Sequence, residues 1–189
     1  MTDAELLQLL PSRQKDALAA AIGQRLTEVT RQFFRDLSSF LTDERFTATD
    51  FFSLNSGPVQ LQFDDGLMHT LAVWPSQLSI VLLPDPLSGL PDERIYRLSV
   101  SADARPELKA CLGRVCQDVR IWILKEEFDS EEAKEVAISY VFDSDLELFY
   151  CIYLHDDLDS DYLLTGADVS RTRVKHCISL AQGGIIEPK

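Results

Sequence analysis

The apolar positions Leu18, Ile22, Leu26, Val29, Phe33, Leu37 and Phe40 recur in steps of three and four, close to the helical period. This stripe predicts one long amphipathic helix over 13–41, opened by Ser12, favoured by Ala17 and Ala19–Ala21 and tolerant of Gly23. Asp3 is placed to cap a shorter helix through Leu10. The stripe has two possible uses, docking on the protein's own sheet or pairing two copies as a dimerising helix. From 42 to 58 the pattern lapses into a linker in which Phe51 and Phe52 are expected to pack.

Beyond the linker the period becomes two. Val59 to Phe63 alternates, Asp65-Gly66 signals a turn, and Leu67 to Trp74 returns as the second strand of a hairpin. Leu78 to Leu83 is apolar throughout, as in a central strand, and Ile95 to Val100 predicts another strand after a Pro/Gly-punctuated loop. Arg105 to Cys116 predicts a short helix with Pro106 in its first turn. Val119 to Leu124 predicts a strand. A second hairpin follows, Glu135 to Phe142 and Leu146 to Leu154, turning at Asp143–Asp145, then a last strand Arg173 to Leu180 and a flexible Gly183-Gly184 tail.

The fold class these elements define is α+β: N-terminal helices, one of them long, then a mostly antiparallel β-sheet with one short inserted helix. The 189 residues are expected to form a single domain, with 1–41 a helical N-terminal region and 57–182 the α+β core. No internal repeat, low-complexity tract or second globular unit shows in the residues.

Composition changes this picture little, and charge changes it more. With 46% apolar residues the chain is ordinary for a globular protein, and no apolar run reaches the length of a membrane span. The N-terminal residues carry acids where a secretory signal has bases, so the expected compartment is the cytoplasm. There Cys111, Cys116, Cys151 and Cys177 are expected as reduced thiols. The formal net charge is −13. Between Glu126 and Asp168 stand fourteen carboxylates and one base, Lys134, so that stretch alone accounts for the net charge of the whole chain. Such a field argues against direct contact with nucleic acid or anionic lipid and for a basic protein partner.

The residues expected to meet that partner are Glu131, Glu132, Asp143, Asp145, Glu147, Asp156, Asp157, Asp159, Asp161 and Tyr162. Clustered carboxylates steer a cationic surface into contact, as in inhibitors or immunity-like proteins that neutralise basic nucleases. Other chemistry competes for the same stretch. Asp157, Asp159, Asp161 and Asp168 fall at positions one, three, five and twelve of a calcium-type loop, with His155 beside them. Tyr162 stands where that loop needs glycine, and the preceding residues read as strand. A calcium or magnesium site, or a metal-dependent enzyme on His155 and these aspartates, is thus the alternative to a cofactor-free binding module. A structural adaptor dimerising through 13–41 is the third reading. No nucleotide-binding, zinc-protease or hydrolase motif occurs.

Overall fold

The computed structural model describes residues 2–33, 37, 47–54, 57–74, 78–84, 95–124, 134–152, 161–169 and 174–186. Among the described residues the architecture is two antiparallel sheets, and the five α-helices that accompany them have seven residues or fewer. Helices α1 (Asp3–Leu7) and α2 (Lys15–Ala19) precede β1 (Leu26–Phe33). Helix α3 (Ala48–Leu54) leads into β2 (Val59–Phe63), β3 (Met68–Trp74), β4 (Ser79–Leu83) and β5 (Tyr96–Ser99). Helices α4 (Val100–Asp103) and α5 (Pro106–Lys109) then lead to β6 (Cys116–Leu124), β7 (Glu135–Phe142), β8 (Glu147–Cys151), β9 (Tyr162–Thr165), β10 (Val174–Ser179) and β11 (Gly184–Ile186). The first sheet runs β4-β3-β2-β1-β5 and the second β11-β10-β6-β7-β8-β9.

The long helix over 13–41 is therefore corrected: its first turns are α2, and its centre is strand β1. An extra residue, Thr27, sits between the pairs Leu26–Phe63 and Glu28–Gln62. This bulge advances the side-chain alternation by one position, so Leu26 and Val29, three apart, both enter the core, followed by Phe33. Steps of three and four thus arose from a turn, a bulge and a strand. The fold is mostly β rather than α+β with a long helix, and the helix on which dimerisation rested is absent. The helix expected over Arg105 to Cys116 likewise shrinks to α5, and β6 already begins at Cys116. Gly184 belongs to β11 rather than to a loose tail.

The two sheets repeat each other. Without β11, the second has the order of the first with β10, β6, β7, β8 and β9 replacing β5, β1, β2, β3 and β4. Leu18, Gly23, Leu26 and Val29 stand in the first half where Leu108, Gly113, Cys116 and Val119 stand in the second. Strand β6 carries the matching bulge at Gln117, between the pairs Cys116–Phe142 and Asp118–Val141. Where the halves meet, their hydrogen bonds are reciprocal. The Gly23 N–H donates to the Cys116 carbonyl and the Gly113 N–H to that of Leu26, each at 2.8 Å. The Leu26 N–H donates to the Arg114 carbonyl and that of Cys116 to Gln24. Both glycines hold a left-handed backbone, with φ of 87° and 74°, which L side chains adopt only at a cost. The molecule is a pseudo-twofold arrangement of two like units, where the residues alone showed no repeat.

One apolar cluster draws on both sheets, including Leu26, Val29, Leu61, Phe63, Val119, Ile121, Tyr140 and Leu148. A second cluster lies on the other face of the second sheet, around Trp122, Phe149, Tyr162 and Leu164. Phe51 and Phe52 pack as expected. Among the described residues no helix is long and apolar enough to cross a membrane, and all four cysteines are free and buried.

Candidate functional site

The second hairpin forms as the residues imply, β7 with β8, and its turn at Asp143–Asp145 places Ser144 and Asp145 at φ 70° and 59°. Asp145 is exposed there, while Asp143 is half-buried, its carboxylate accepting from the Val115 N–H at 3.3 Å. Other carboxylates of the stretch turn inward. Glu147 accepts from Ser139 Oγ at 2.7 Å and from Arg120 Nη1 at 3.3 Å. Glu135 is buried and receives both the backbone N–H and the hydroxyl of Ser12; burial raises its pKa, partly countered by those bonds. Glu131, Glu132, His155, Asp156, Asp157 and Asp159 lie outside the described residues.

Asp161 is the largest departure. It is 4% exposed at the start of β9, and its carboxylate Oδ2 takes a 2.8 Å ion pair from Arg31 Nη2 and a 2.6 Å hydrogen bond from the Tyr150 hydroxyl. Arg31 is wholly buried in β1, and its guanidinium also donates to the carbonyls of Phe52 and Asp161. Tyr162 is buried beside it. These two residues are interior rather than presented to a partner. Asp168 is exposed, accepting from Thr165 Oγ1 at 2.9 Å. Of the five residues considered for a cation, then, the two that are described have their oxygens engaged separately. Among the described residues no group of three or more His, Cys, Asp or Glu converges on one point.

The Arg31–Asp161–Tyr150 cluster ties β1 of the first half to β8 and β9 of the second. By the pairing of the two units, its counterparts across the pseudo-twofold are Ile121, Ile80 and Leu71, all buried and apolar. The fold thus accommodates a hydrocarbon version of this contact, and the ionic version is particular to one side.

A second polar pair shows the same asymmetry. His69 Nε2 lies 3.0 Å from the Ala17 carbonyl and Nδ1 lies 2.8 Å from the Tyr140 hydroxyl. A carbonyl only accepts, so Nε2 carries the proton and Nδ1 accepts from the tyrosine. Burial pushes the His69 pKa down to about 4, against a smaller opposing contribution from the Ala17 bond. The counterparts of His69 and Tyr140 are Leu148 and Leu61. Three of the cysteines offer no nucleophile: burial raises Cys111 to about 11 and Cys116 to about 12, and Cys151 further still.

Beside the Arg31 cluster a cavity of about 240 Å³ opens between α3, the start of α5 and β9. Ser53, Arg105, Glu107, Leu108, Leu163 and Asp168 are among the residues around it. The Ser53 hydroxyl is fully buried and has no hydrogen-bond partner among the described residues. The residues gave no signal for this cavity, whose walls come from segments more than fifty positions apart. No family model, curated protein or solved structure matches the chain.

Proposed function

We propose that the chain is a non-enzymatic protein-binding module, inhibitor- or immunity-like, that engages a basic partner through the acidic surface contributed by 126–168. The observation that carries this reading is the concentration of the whole net charge of −13 in one stretch. Carboxylates gathered on one side focus an anionic field that speeds encounter with a cationic protein and discourages nucleic acid. The exposed Asp145 and the neighbouring Asp143 mark that surface on the β7–β8 turn. Asp161, Glu135 and Glu147 are excluded from it, because their charges are already compensated or engaged inside the protein.

The test is capture of basic proteins from a native lysate on the immobilised full chain, at low salt and at 0.5 M salt on the order of a 4–5 Å screening length. Retention is expected to be lost at high salt. It is also expected to fall in the charge-reversed pairs Asp143→Lys/Asp145→Lys and Asp157→Lys/Asp159→Lys. Retention at low salt that survives both pairs overturns the acidic-surface mechanism.

A further inference from the structure

Strand β4 ends the first sheet and β9 ends the second, and each carries a cover drawn from the first half. On β9 the cover is α3, an internal helix whose Phe51 and Phe52 are buried. On β4 it is the N-terminal segment 2–13: the Leu82 N–H donates to the Leu9 carbonyl at 2.8 Å, just before the turn Pro11–Arg13. The two covers are held by different means. Helix α1 has no buried residue, and from 2 to 13 only Pro11 is buried. Among the described residues the segment makes three hydrogen bonds to the rest of the chain, one at Leu82 and two at Glu135.

The pair at Glu135 comes from Ser12, whose N–H donates to Oε2 at 2.8 Å and whose hydroxyl donates to Oε1. Glu135 opens β7, so the segment ties the end strand of one sheet to an inner strand of the other. Its carboxylate is buried and forms no ion pair among the described residues; Arg13 and Lys15 act on it only as neighbouring charges. A buried carboxylate held without a cation regains its hydration when the segment lifts, and that gain offsets part of the bonding lost. The contacts at Leu9 and Ser12 move together, because the turn between them is closed by the Arg13 and Gln14 N–H groups on the Leu10 carbonyl. The segment also has a sharp end. From Lys15 onward the chain is anchored by the buried Leu18 and by the Ala17 carbonyl on His69 Nε2.

We propose that residues 2–13 are a strap that opens and closes over β4 as one unit about Gln14, clasped by Ser12 on Glu135, while both sheets stay folded. Opening bares the outward Leu82 N–H at the edge of the first sheet, and closing hides it. Unpaired strand edges template association between chains, so the closed strap is the protective state. The clasp sets how often that edge is exposed. Cover α3 has no such freedom, since it is continuous with chain on both sides and its two phenylalanines lie in the core. The device is independent of the acidic-surface reading, from which Glu135 is already excluded.

Native-state amide exchange on the full-length protein, resolved residue by residue by NMR, tests this. Leu82 and Ser12 report on the strap; Leu26 and Ile152, whose N–H groups bond to Arg114 and Val136, report on the fold as a whole. Protection at Leu82 and Ser12 is expected to agree within about threefold and to lie at least roughly a hundredfold below that at Leu26 and Ile152. Arg31→Ile weakens the fold away from the strap, so it should speed exchange at Leu26 and Ile152 and leave Leu82 and Ser12 unchanged. Ser12→Ala removes the hydroxyl and keeps the backbone bond. It should speed exchange at Leu82 by roughly tenfold, although the Leu82–Leu9 bond itself is untouched. Leu82 protection equal to that of Leu26, or lost along with it in Arg31→Ile, overturns the proposal, because the cover then leaves only when the protein unfolds. Leu82 exchange unmoved by Ser12→Ala overturns it as well, since the end would then fray residue by residue without a clasp.

Discussion

At the scale of single residues, two buried polar groupings bridge the halves on one side of the pseudo-twofold where hydrocarbon stands on the opposite side, and this comparison sets what each change should do. Removing Arg31 alone leaves the Asp161 carboxylate without its cation in the interior. Arg31→Ile should cost about 3–5 kcal/mol in urea denaturation. The triple change Arg31→Ile, Asp161→Ile and Tyr150→Leu copies the opposite side and should recover at least half of that loss. A triple variant no better than the single one would show that the ionic contact is required by local shape and not merely by charge balance. His69 gives the pH counterpart. Its folded pKa of about 4 lies below its ordinary value of 6.5, so between those pH values the unfolded chain binds more protons than the folded one. Stability from this group is complete above about 6.5 and is lost as the pH falls towards 4, by at most about 3 kcal/mol. Glu135, with its raised pKa, acts in the opposite sense on the acid side. The double change His69→Leu and Tyr140→Leu, again copying the opposite side, should therefore flatten the pH 4–6.5 slope and leave the Glu135 contribution visible in thermal melts.

At the scale of elements, the reciprocal glycines and bulges hold the two units together. Nothing lies within 4 Å of a Cβ built at Gly23 or Gly113, so alanine there meets no clash and pays only for its left-handed backbone. Gly23→Ala and Gly113→Ala should each cost about 1–2 kcal/mol. For a chain of this size that lowers the melting temperature by roughly 2–8 °C, and a loss at one glycine only would break the equivalence of the halves. The same bulges explain what the residues disclosed. Strands with clean alternation or unbroken apolar runs, such as Val59 to Phe63, Ser79 to Leu83 and Glu135 to Phe142, were legible because pleating alone places their side chains. Strand β1 was not, since Thr27 converts its period into one that imitates a helix. Strand β9 was lost inside an aspartate-rich run, because four residues carry too little pattern to outweigh their neighbours. The candidate site was less legible than the fold. Arg31 and Asp161 stand 130 positions apart, and the acid read as surface because its cation lay in a supposed helix.

At the scale of the whole molecule, the question is whether the two like units unfold separately or together. Each sheet carries one tryptophan, Trp74 in β3 and Trp122 in β6, so each unit has its own optical reporter. The core draws Leu26, Val29 and Leu61 from one sheet and Val119, Ile121 and Tyr140 from the other into one cluster. The β7 residue Tyr140 packs its ring 5.7 Å from that of Phe63 in β2, and Arg31 crosses to Asp161. Neither unit keeps its buried face without the other, and exposing such a face costs roughly 25 cal/mol per Å² of apolar surface. Trp122→Phe, which reports on the first sheet through Trp74, and Trp74→Phe, which reports on the second, should each leave one sigmoidal urea transition. When each curve is corrected for the stability change of its own substitution by circular dichroism, the fluorescence and dichroism midpoints of that variant should coincide. Adding Arg31→Ile to either background should move both reporters together, although the arginine belongs to the first sheet alone. A Trp122 signal unmoved by Arg31→Ile would mean that the second unit stands independently, and the shared core would then be adhesion between two folded bodies.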